Sequence, residues 1–479
     1  MASAPVIMWF RHDLRLDDNP ALVAAVATGA PLIALYVLDD VTPGPRKFGG
    51  AARWWLDGSL RSLARHIERL GGRLVVRVGA AEVVLDDVVT RSGATAVFCS
   101  RSYELWSRGL EDRLHAALAR RGVAFKRYPG TLLIEPDAIT TKTGGPFKVY
   151  TPFWRALVAR GEPRRPAPAP KKIVPFEGAL DGVSIEKLGL LPTKPDWAGG
   201  LRENWAPGER GARKRLDTFH AGAIRHYADL RYRPDLPATS RLSPHLRHGE
   251  ISPAACWHAA RAAAADGPGL ETFLKELAWR EFSYHLLFQF PDLADAPVRP
   301  EFGNFPWAPE ADHLTAWQRG RTGYPIVDAG MRELWTTGWM HNRVRMIVGS
   351  FLVKHLLIPW QEGEAWFWDT LVDADPASNA ASWQWVAGSG ADAAPYFRIF
   401  APVKQGQTFD PDGTYVRRWV PELAKLPAPA LHAPWEAGPA ELAAAGVRLG
   451  QDYPHPIVDH GKARLRALSA YEAMRSAAG

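Results

Sequence analysis

Cysteine is scarce in this chain of 479 residues, since only Cys99 and Cys256 are present. They lie far apart and outside any CxxC spacing, which argues against a disulfide framework, a thiolate zinc site or an iron–sulfur cluster. Long hydrophobic runs are also missing, because no uncharged stretch approaches the roughly 18 to 20 residues that span a bilayer. We therefore expect an organic cofactor and no membrane partner.

A signal-peptide pattern is missing as well, because the amino-terminal segment has no basic n-region, apolar h-region and small-residue cleavage site. We therefore expect a cytoplasmic protein. The formal net charge of +7 permits binding to a polyanion without requiring it. The chain is too long for one ordinary domain, which favours two or three packed units.

Tryptophan, in contrast, is abundant. The chain has 20 tryptophans, and ten of them lie between Trp279 and Trp385. A packed aromatic core accounts for most of them. They also crowd beside Arg, Asn and Asp, a mixture that suits a planar aromatic ligand with a charged partner.

The amino-terminal part alternates short apolar runs with helical patterns. The runs predict strands at Val6–Phe10, Leu32–Leu38, Leu74–Val78, Ala96–Cys99 and Val123–Tyr128. Helices such as Ala51–Leu70 and Trp106–Arg121 are predicted between them. This alternation indicates an α/β domain with a doubly wound, Rossmann-like parallel sheet. The turn after the first strand reads Arg11-His12-Asp13-Leu14-Arg15 and lacks GxGxxG, so no ordinary NAD site is expected there.

Beyond the sheet the pattern becomes helical. A stretch from Pro163 to Pro175, with five prolines and four Lys or Arg residues, predicts an extended surface connector. Helices are predicted at Glu209–Phe219, Gly269–Phe288, Ile326–Thr336, Gly338–Leu356, Trp366–Leu371 and Gly461–Ala477, with surface loops at Pro421–Ala445. We expect an α/β domain over residues 1–131, a connector over 132–200 and a mainly α-helical domain over 201–479.

Two predicted helices each carry a polar face. In the helix predicted over Phe273–Phe282, the residues Glu276, Trp279 and Arg280 share one face, because they are three and four positions apart. The simpler interpretation is an exposed Glu276–Arg280 ion pair beside a core tryptophan. A second helix presents an amide, a guanidinium and a thioether on one face, at Asn342, Arg345 and Met346. Alone, this could be an ordinary amphipathic helix.

Two further segments suit a polar cofactor. Two carboxylates and an amide lie within seven residues, at Asp373, Asp375 and Asn379. No further Glu or His lies at matching spacing, so hydrogen bonds to a cofactor are favoured over a metal site. The segment Thr239–Ser243 offers hydroxyls, backbone amides and a guanidinium, which suit a phosphate or pyrophosphate. A simple helix cap is the alternative.

These segments, in this order, resemble the DNA photolyase and cryptochrome family across essentially the whole chain, and most of all its bacterial cyclobutane pyrimidine dimer photolyases. The stretches Gly323–Arg332 and Asp392–Phe400 are similar to family signatures. The resemblance implies reduced FAD in the helical domain, held by Tyr227, Thr239, Ser240, Arg241, Leu242, Ser243, Phe273, Arg345, Asp373, Asp375 and Asn379. A pairing of Arg345 with Asp373 would satisfy two charges that are costly to bury.

The resemblance also implies an activity, that of a deoxyribodipyrimidine photo-lyase, which is a carbon–carbon lyase. Such an enzyme binds ultraviolet-damaged DNA, flips out the dimer and splits it by blue-light-driven electron transfer from reduced FAD. Asn379 matches the position beside flavin N5, where an amide cannot ionise and helps the reduced anionic flavin to persist. Glu276 matches the carboxyl that hydrogen-bonds the dimer, and it would be most useful if burial kept it protonated.

Two further sets of residues follow from the same resemblance. Trp383, Trp360 and Trp307 correspond to the electron-transfer chain that photoreduces the flavin from the surface. Contacts to DNA or to the extruded bases are implied for Arg231, Glu276, Trp279, Arg280, Asn342, Arg343, Met346, Trp385 and Gln405. The partner would be DNA containing pyrimidine dimers, and phosphate contacts would make binding salt-dependent. We expect a monomer without an obligate protein partner.

Other activities of the family stay open. A cryptochrome would bind the same FAD and signal, but plant cryptochromes carry Asp where this chain has Asn379. Enzymes that repair (6-4) photoproducts typically carry two adjacent histidines where this chain reads His341-Asn342. The α/β domain would hold an antenna chromophore, either a reduced folate or an 8-hydroxy-5-deazaflavin. Trp106 and Ser107 replace the Asn-Glu pair that grips folate in some members, so that folate site is in doubt.

Overall fold

The computed structural model describes residues 3–44, 46–392 and 397–478 and begins with a parallel sheet. Its strands are β1 (Val6–Phe10), β2 (Leu32–Leu38), β3 (Leu74–Val78), β4 (Ala96–Ser100) and β5 (Ala124–Tyr128). The helices between them are α1 (Pro20–Val26), α2 (Gly50–Arg69), α3 (Ala81–Ser92) and α4 (Leu105–Ala119). The strand order is β3-β2-β1-β4-β5, which is the doubly wound arrangement. The predicted fold class is confirmed.

Both faces of the sheet are buried, which explains why its strands are continuously apolar. Successive side chains of a strand point to opposite faces. Met8 and Phe10 therefore pack with α1 and α2, whereas Ile7 and Trp9 pack with α3 and α4. Every residue of β1, β2 and β4 is buried, as expected for a parallel sheet covered on both sides.

The rest of the described chain is mainly helical. Its first helices are α5 (Tyr150–Val158), α6 (Gly199–Asn204), α7 (Glu209–Ala221), α8 (Tyr227–Leu230), α9 (Ser243–Arg247), α10 (Pro253–Ala263) and α11 (Pro268–Gln289). The next are α12 (Ala311–Gln318), α13 (Pro325–Thr337), α14 (Asn342–Ser350), α15 (Trp360–Thr370) and α16 (Pro376–Ala387). The last are α17 (Pro402–Phe409), α18 (Thr414–Trp419), α19 (Ala428–His432), α20 (Pro439–Ala445) and α21 (His460–Ala478). None of these helices is long and apolar enough to cross a membrane.

The predicted helix Gly338–Leu356 begins later in the structure. Gly338 has a φ of +66° and ends α13, because that left-handed conformation closes a helix at little cost for glycine. His341 then caps α14, since its Nδ1 accepts a hydrogen bond from the Arg343 amide at 3.2 Å. The helix ends in a wider π turn over Phe351–His355.

Two segments predicted to be loops or connectors are more ordered than expected. Pro421–Ala445 contains α19, α20 and two short 3-10 turns, because its prolines start helical turns. It also buries Leu423 and Leu431, so the prediction of surface loops is wrong there. Residues 163–175 lack regular helix, as predicted, but the connector also contains α5, whose Phe153 packs on Phe282 of α11 with ring centroids 5.3 Å apart. The domain boundaries at 131 and 201 stay a prediction.

Candidate functional site

A cavity of about 770 Å³ lies in the helical part of the chain, bordered by α11, α14, α16 and residues 239–247. Its size is in the upper range of small-molecule sites. All eleven residues predicted to hold FAD line it. Eight of the nine predicted DNA-contacting residues line it too, and only Gln405 does not.

A buried cation without an acidic partner marks one end of the cavity. The Arg241 guanidinium lies 4.6 Å from the Trp205 ring and 4.5 Å from the Trp339 ring. Its Nε is buried and makes no hydrogen bond within the described residues. The Arg215 guanidinium also lies 4.5 Å from the Trp205 ring. Burial lowers the pKa of Arg241, so this end of the cavity favours an anionic ligand group.

A buried ion pair lies next to that cation. The Arg345 Nη2 donates to both carboxylate oxygens of Asp373, at 3.1 and 2.8 Å. The Ser243 hydroxyl donates to the same carboxylate at 2.6 Å, and the Arg345 Nε donates to the Met340 carbonyl at 2.8 Å. The expected pairing of Arg345 with Asp373 is therefore present, and hydrogen bonds offset the cost of burying it.

Asp375 serves the fold as well as the cavity. One carboxylate oxygen caps α16 by accepting hydrogen bonds from the amides of Ala377 and Ser378, at 3.1 and 2.7 Å. The other oxygen accepts a hydrogen bond from the Tyr284 hydroxyl at 2.7 Å. These bonds hold the start of α16, and with it Asn379 one turn later, against α11.

Asn379 is held in the cavity by a chain of hydrogen bonds that extends to the α/β domain. Its Nδ2 donates to the Glu364 carbonyl at 3.0 Å and to the Glu364 Oε1 at 2.8 Å. The Glu364 carboxylate accepts in turn from Arg46 Nη1, at 2.7 and 2.6 Å. Neither partner has a signal in the sequence, because Arg46 belongs to the α/β domain and lies 318 residues from Glu364.

The cavity mouth combines an ion pair with an aromatic stack. Arg231 Nη1 and Glu276 Oε1 are 2.5 Å apart, and the Glu276 side chain is 28% exposed. The Glu276 side chain is therefore only partly buried and lies beside a cation. Trp279 stacks on Tyr150, with ring centroids 3.7 Å apart and 6° between the planes. Tyr150 lies in the predicted connector and was not identified from the sequence.

With this geometry established, comparisons identify the family. Residues 6–171 match the DNA photolyase family, and residues 273–473 match the FAD binding domain of DNA photolyase. The deoxyribodipyrimidine photo-lyase of Agrobacterium fabrum is 52% identical over 99% of each chain. Cryptochrome-1 of Arabidopsis thaliana is 41% identical over 97% of this chain and 70% of its own length. The crystal structure of a class III photolyase from Agrobacterium tumefaciens, 52% identical, has a TM-score of 0.96 and covers 99% of this chain and 98% of that chain.

This chain belongs to the DNA photolyase family. The predicted photolyase enzyme class and the predicted FAD cofactor are thereby confirmed. The cavity fits that cofactor, since Arg241 offers an unpaired buried Nε to a pyrophosphate and the cavity volume suits a dinucleotide. Residues 393–396 of the second predicted signature lie outside the described residues.

Two of the three predicted electron-transfer tryptophans are buried, and the third is half-buried. Trp383 and Trp360 are 3% and 2% exposed within one core cluster, and the half-buried Trp307 packs against that cluster. Trp317, which the sequence did not single out, lies edge-on to Trp383 with ring centroids 6.2 Å apart. Trp383 Nε1 is buried without a hydrogen-bond partner in the described chain.

Arg280 does not have the environment expected of a DNA-contacting residue. Its side chain is only 13% exposed, and its Nη1 donates to the Thr131 carbonyl at 2.9 Å and pairs with Glu281 at 3.1 Å. Arg280 therefore joins α11 to the end of the α/β domain. The alternative Glu276–Arg280 ion pair is absent from the described contacts, because Glu276 pairs with Arg231.

Arg343 is half-buried and lies beside the cavity mouth. Its guanidinium lies 4.6 Å from the ring of Tyr232, which is exposed, and 4.3 Å from the ring of Phe409. Gln405 lies one turn before Phe409 on α17. These residues lie beside the mouth at which Asn342 is exposed.

Proposed function

We propose that this photolyase repairs cyclobutane pyrimidine dimers in DNA with blue light. The observation that carries the proposal is one cavity lined both by the FAD-type residues and by Glu276, Trp279, Asn342 and Met346. The last four match the dimer side of the family pattern.

The role that we propose for each residue follows from its place in the cavity. Arg241 and the Arg345–Asp373 pair would hold FAD, and Asn379 would lie at N5. When bound and reduced, FAD supplies on blue-light excitation one electron that opens the dimer ring and then returns, without net redox change. Trp279 and Trp385 would flank the extruded bases, with Trp279 held in place by its stack on Tyr150.

Glu276 would form the hydrogen bond to the dimer, and Arg231 would position its carboxylate at the mouth. Arg343 and Gln405 would contact the DNA backbone beside the flipped nucleotides. Trp383, Trp360 and Trp307 would supply electrons when the flavin has to be reduced in light. All of these roles stay predictions.

The test is repair of an oligonucleotide that contains one thymine dimer by the chemically reduced protein under blue light. The returning ultraviolet absorbance of intact thymines reports repair, with a dark sample as control. We expect recovery in light only, much of it retained in Glu276→Gln and a loss of quantum yield in Glu276→Ala. Equal yields in all three proteins would remove Glu276 from the mechanism, and no recovery with reduced FAD and measurable DNA affinity would contradict repair of this lesion.

A blue-light receptor is the second candidate function, and the 41% identity to a plant cryptochrome over 97% of this chain favours it. Failed repair despite bound FAD would point to such a receptor.

An antenna chromophore in the α/β domain also stays a proposal. In that domain Ser107 is buried, and its hydroxyl accepts a hydrogen bond from Arg11 at 3.3 Å. The monomeric state, the absence of an obligate partner and the cytoplasmic location stay predictions.

A further inference from the structure

Tyr232 is an exposed aromatic residue at the cavity mouth that the sequence did not single out. It is 38% exposed and lines the cavity together with Arg231 and Arg343. A single exposed aromatic residue is ordinary on a protein surface. This ring, however, lies close to two cations, since the guanidinium of Arg231 is 5.1 Å from it and that of Arg343 is 4.6 Å from it. Tyr232 is therefore part of a charged rim of the mouth.

The two cations differ in their other contacts. Arg231 has an acidic partner, because its Nη1 lies 2.5 Å from Glu276 Oε1. The Arg343 side chain forms no ion pair and donates no hydrogen bond within the described residues, and its Nε is buried. Its guanidinium instead lies 4.6 Å from the Tyr232 ring and 4.3 Å from the Phe409 ring. In the described structure, these two rings are the groups that orient the Arg343 guanidinium.

The rings of Tyr232 and Phe409, which we call the aromatic pair, reach Arg343 from separate parts of the chain. Tyr232 follows α8, Phe409 ends α17, and Arg343 lies in the first turn of α14. The two ring centroids are 6.1 Å apart. Gln405 lies one turn before Phe409 on α17. The aromatic pair therefore lies beside both residues that are predicted to contact the DNA backbone.

Contacts with aromatic rings leave the hydrogen-bonding capacity of Arg343 unused. A guanidinium has five N–H donors and no acceptor, and its attraction to a ring spends none of these donors in a conventional hydrogen bond. Burial lowers the pKa of Arg343, and the charges of Arg398 and Arg231 add to that effect. An anion such as a DNA phosphate would therefore be a favourable partner for this cation.

We propose that Tyr232 and Phe409 are positioning residues for DNA binding: their rings hold the Arg343 guanidinium at the mouth in the orientation that meets a DNA phosphate. The inference rests on the proposed phosphate contact of Arg343. A long side chain that is already ordered before the DNA arrives loses less conformational entropy on binding. Without the rings, Arg343 would be correctly placed in a smaller fraction of the free protein, and the Kd for DNA would rise in proportion.

Tyr232→Leu removes one ring and Tyr232→Phe keeps it, so these variants form a matched pair. We expect Tyr232→Leu to raise the Kd for undamaged and dimer-containing duplexes alike by roughly two- to fivefold, the size of one cation–π contact. The two duplexes should respond equally, because a phosphate contact does not read the bases. The slope of log affinity against log salt should stay the same, because no charge is removed. Tyr232→Phe should match the unmodified protein.

The variant Arg343→Gln separates positioning from a direct contact. If the ring acts through Arg343, Tyr232→Leu should cost no further affinity once Arg343 is replaced. If the ring instead stacks on a base or only supports the fold, the loss would be the same in both backgrounds. Trp335→Leu is the control for loss of an exposed ring, because Trp335 is 59% exposed and lies outside the described lining of the cavity. Its DNA affinity should not change.

The measurement is the Kd of a fluorescein-labelled duplex for each FAD-bound variant, by fluorescence anisotropy in the dark at several salt concentrations. A loss of affinity in Tyr232→Leu that disappears in the Arg343→Gln background supports the inference. Equal affinities of Tyr232→Leu and Tyr232→Phe would overturn it. A loss that persists in the Arg343→Gln background, or an Arg343→Gln affinity equal to that of the unmodified protein, would overturn it as well.

A second variant and a second assay keep the outcomes separate. If Tyr232→Leu does not retain FAD, Phe409→Leu takes its place in the same set of variants, because it removes the other ring of the aromatic pair. Failure of the repair assay would contradict the proposed function, whereas the affinities measured in the dark would still decide the role of the aromatic pair.

Discussion

Removing the cation of the Arg345–Asp373 pair should be the most damaging single change in the cavity. In Arg345→Met the Asp373 carboxylate, 2% exposed, loses two contacts and keeps only the hydroxyl of Ser243. Breaking a buried pair in this way costs roughly 3 to 5 kcal/mol. Because Arg345 is 24% exposed and Ser243 remains, we expect the lower end, about 3 kcal/mol. With an unfolding entropy of about 2.1 cal/mol/K per residue, that corresponds to a fall of roughly 3 to 5 °C in the unfolding temperature of the apoprotein.

Tryptophan fluorescence is the suitable assay, because half of the tryptophans lie between Trp279 and Trp385 in the helical part. The control is Arg345→Met combined with Asp373→Asn, which removes the orphaned charge and should regain most of the lost stability. FAD affinity should stay low in both variants. A cost below about 1 kcal/mol for the single variant, or no recovery in the double variant, would refute the assignment of a buried, mutually dependent pair.

Three further outcomes test the site. Trp307→Phe should slow photoreduction of the flavin and spare repair by chemically reduced enzyme, and loss of both activities would indicate misfolding. Arg343→Gln should weaken binding to damaged and undamaged DNA alike and reduce the slope of log affinity against log salt by about 0.9, the value for one phosphate contact; an unchanged slope would exclude that contact. Burial raises the pKa of Glu333 from 4.5 to about 7. Between those pH values the native state therefore binds more protons than the unfolded state. The free energy of unfolding should fall as the pH rises from about 4.5 to about 7, by at most about 3 kcal/mol. Glu333→Gln should abolish this fall, and an identical pH profile would contradict it.

Sequence periodicity predicted the sheet almost to the residue, because a strand buried on both faces is a continuous apolar run with few alternatives. Periodicity also placed Glu276 and Trp279 on one helical face, and both residues line the cavity. It did not predict the environment of Arg280, which faces the Thr131 carbonyl of the other domain. Whether a charged side chain on a known helix meets solvent depends on elements far along the chain.

Local pattern and composition alone determined the fold class and the residue types that suit a polar cofactor, and the resemblance to a family added that this cofactor is FAD. Helix and strand formation depends on residues that are a few positions apart, and the sequence shows those residues directly. Tertiary structure alone decided which charges pair: Arg231 with Glu276, and Arg46 with Glu364 across 318 residues. The energy of a buried charge depends on what lies within a few ångströms in space, and the spacing of residues along the chain carries no record of that.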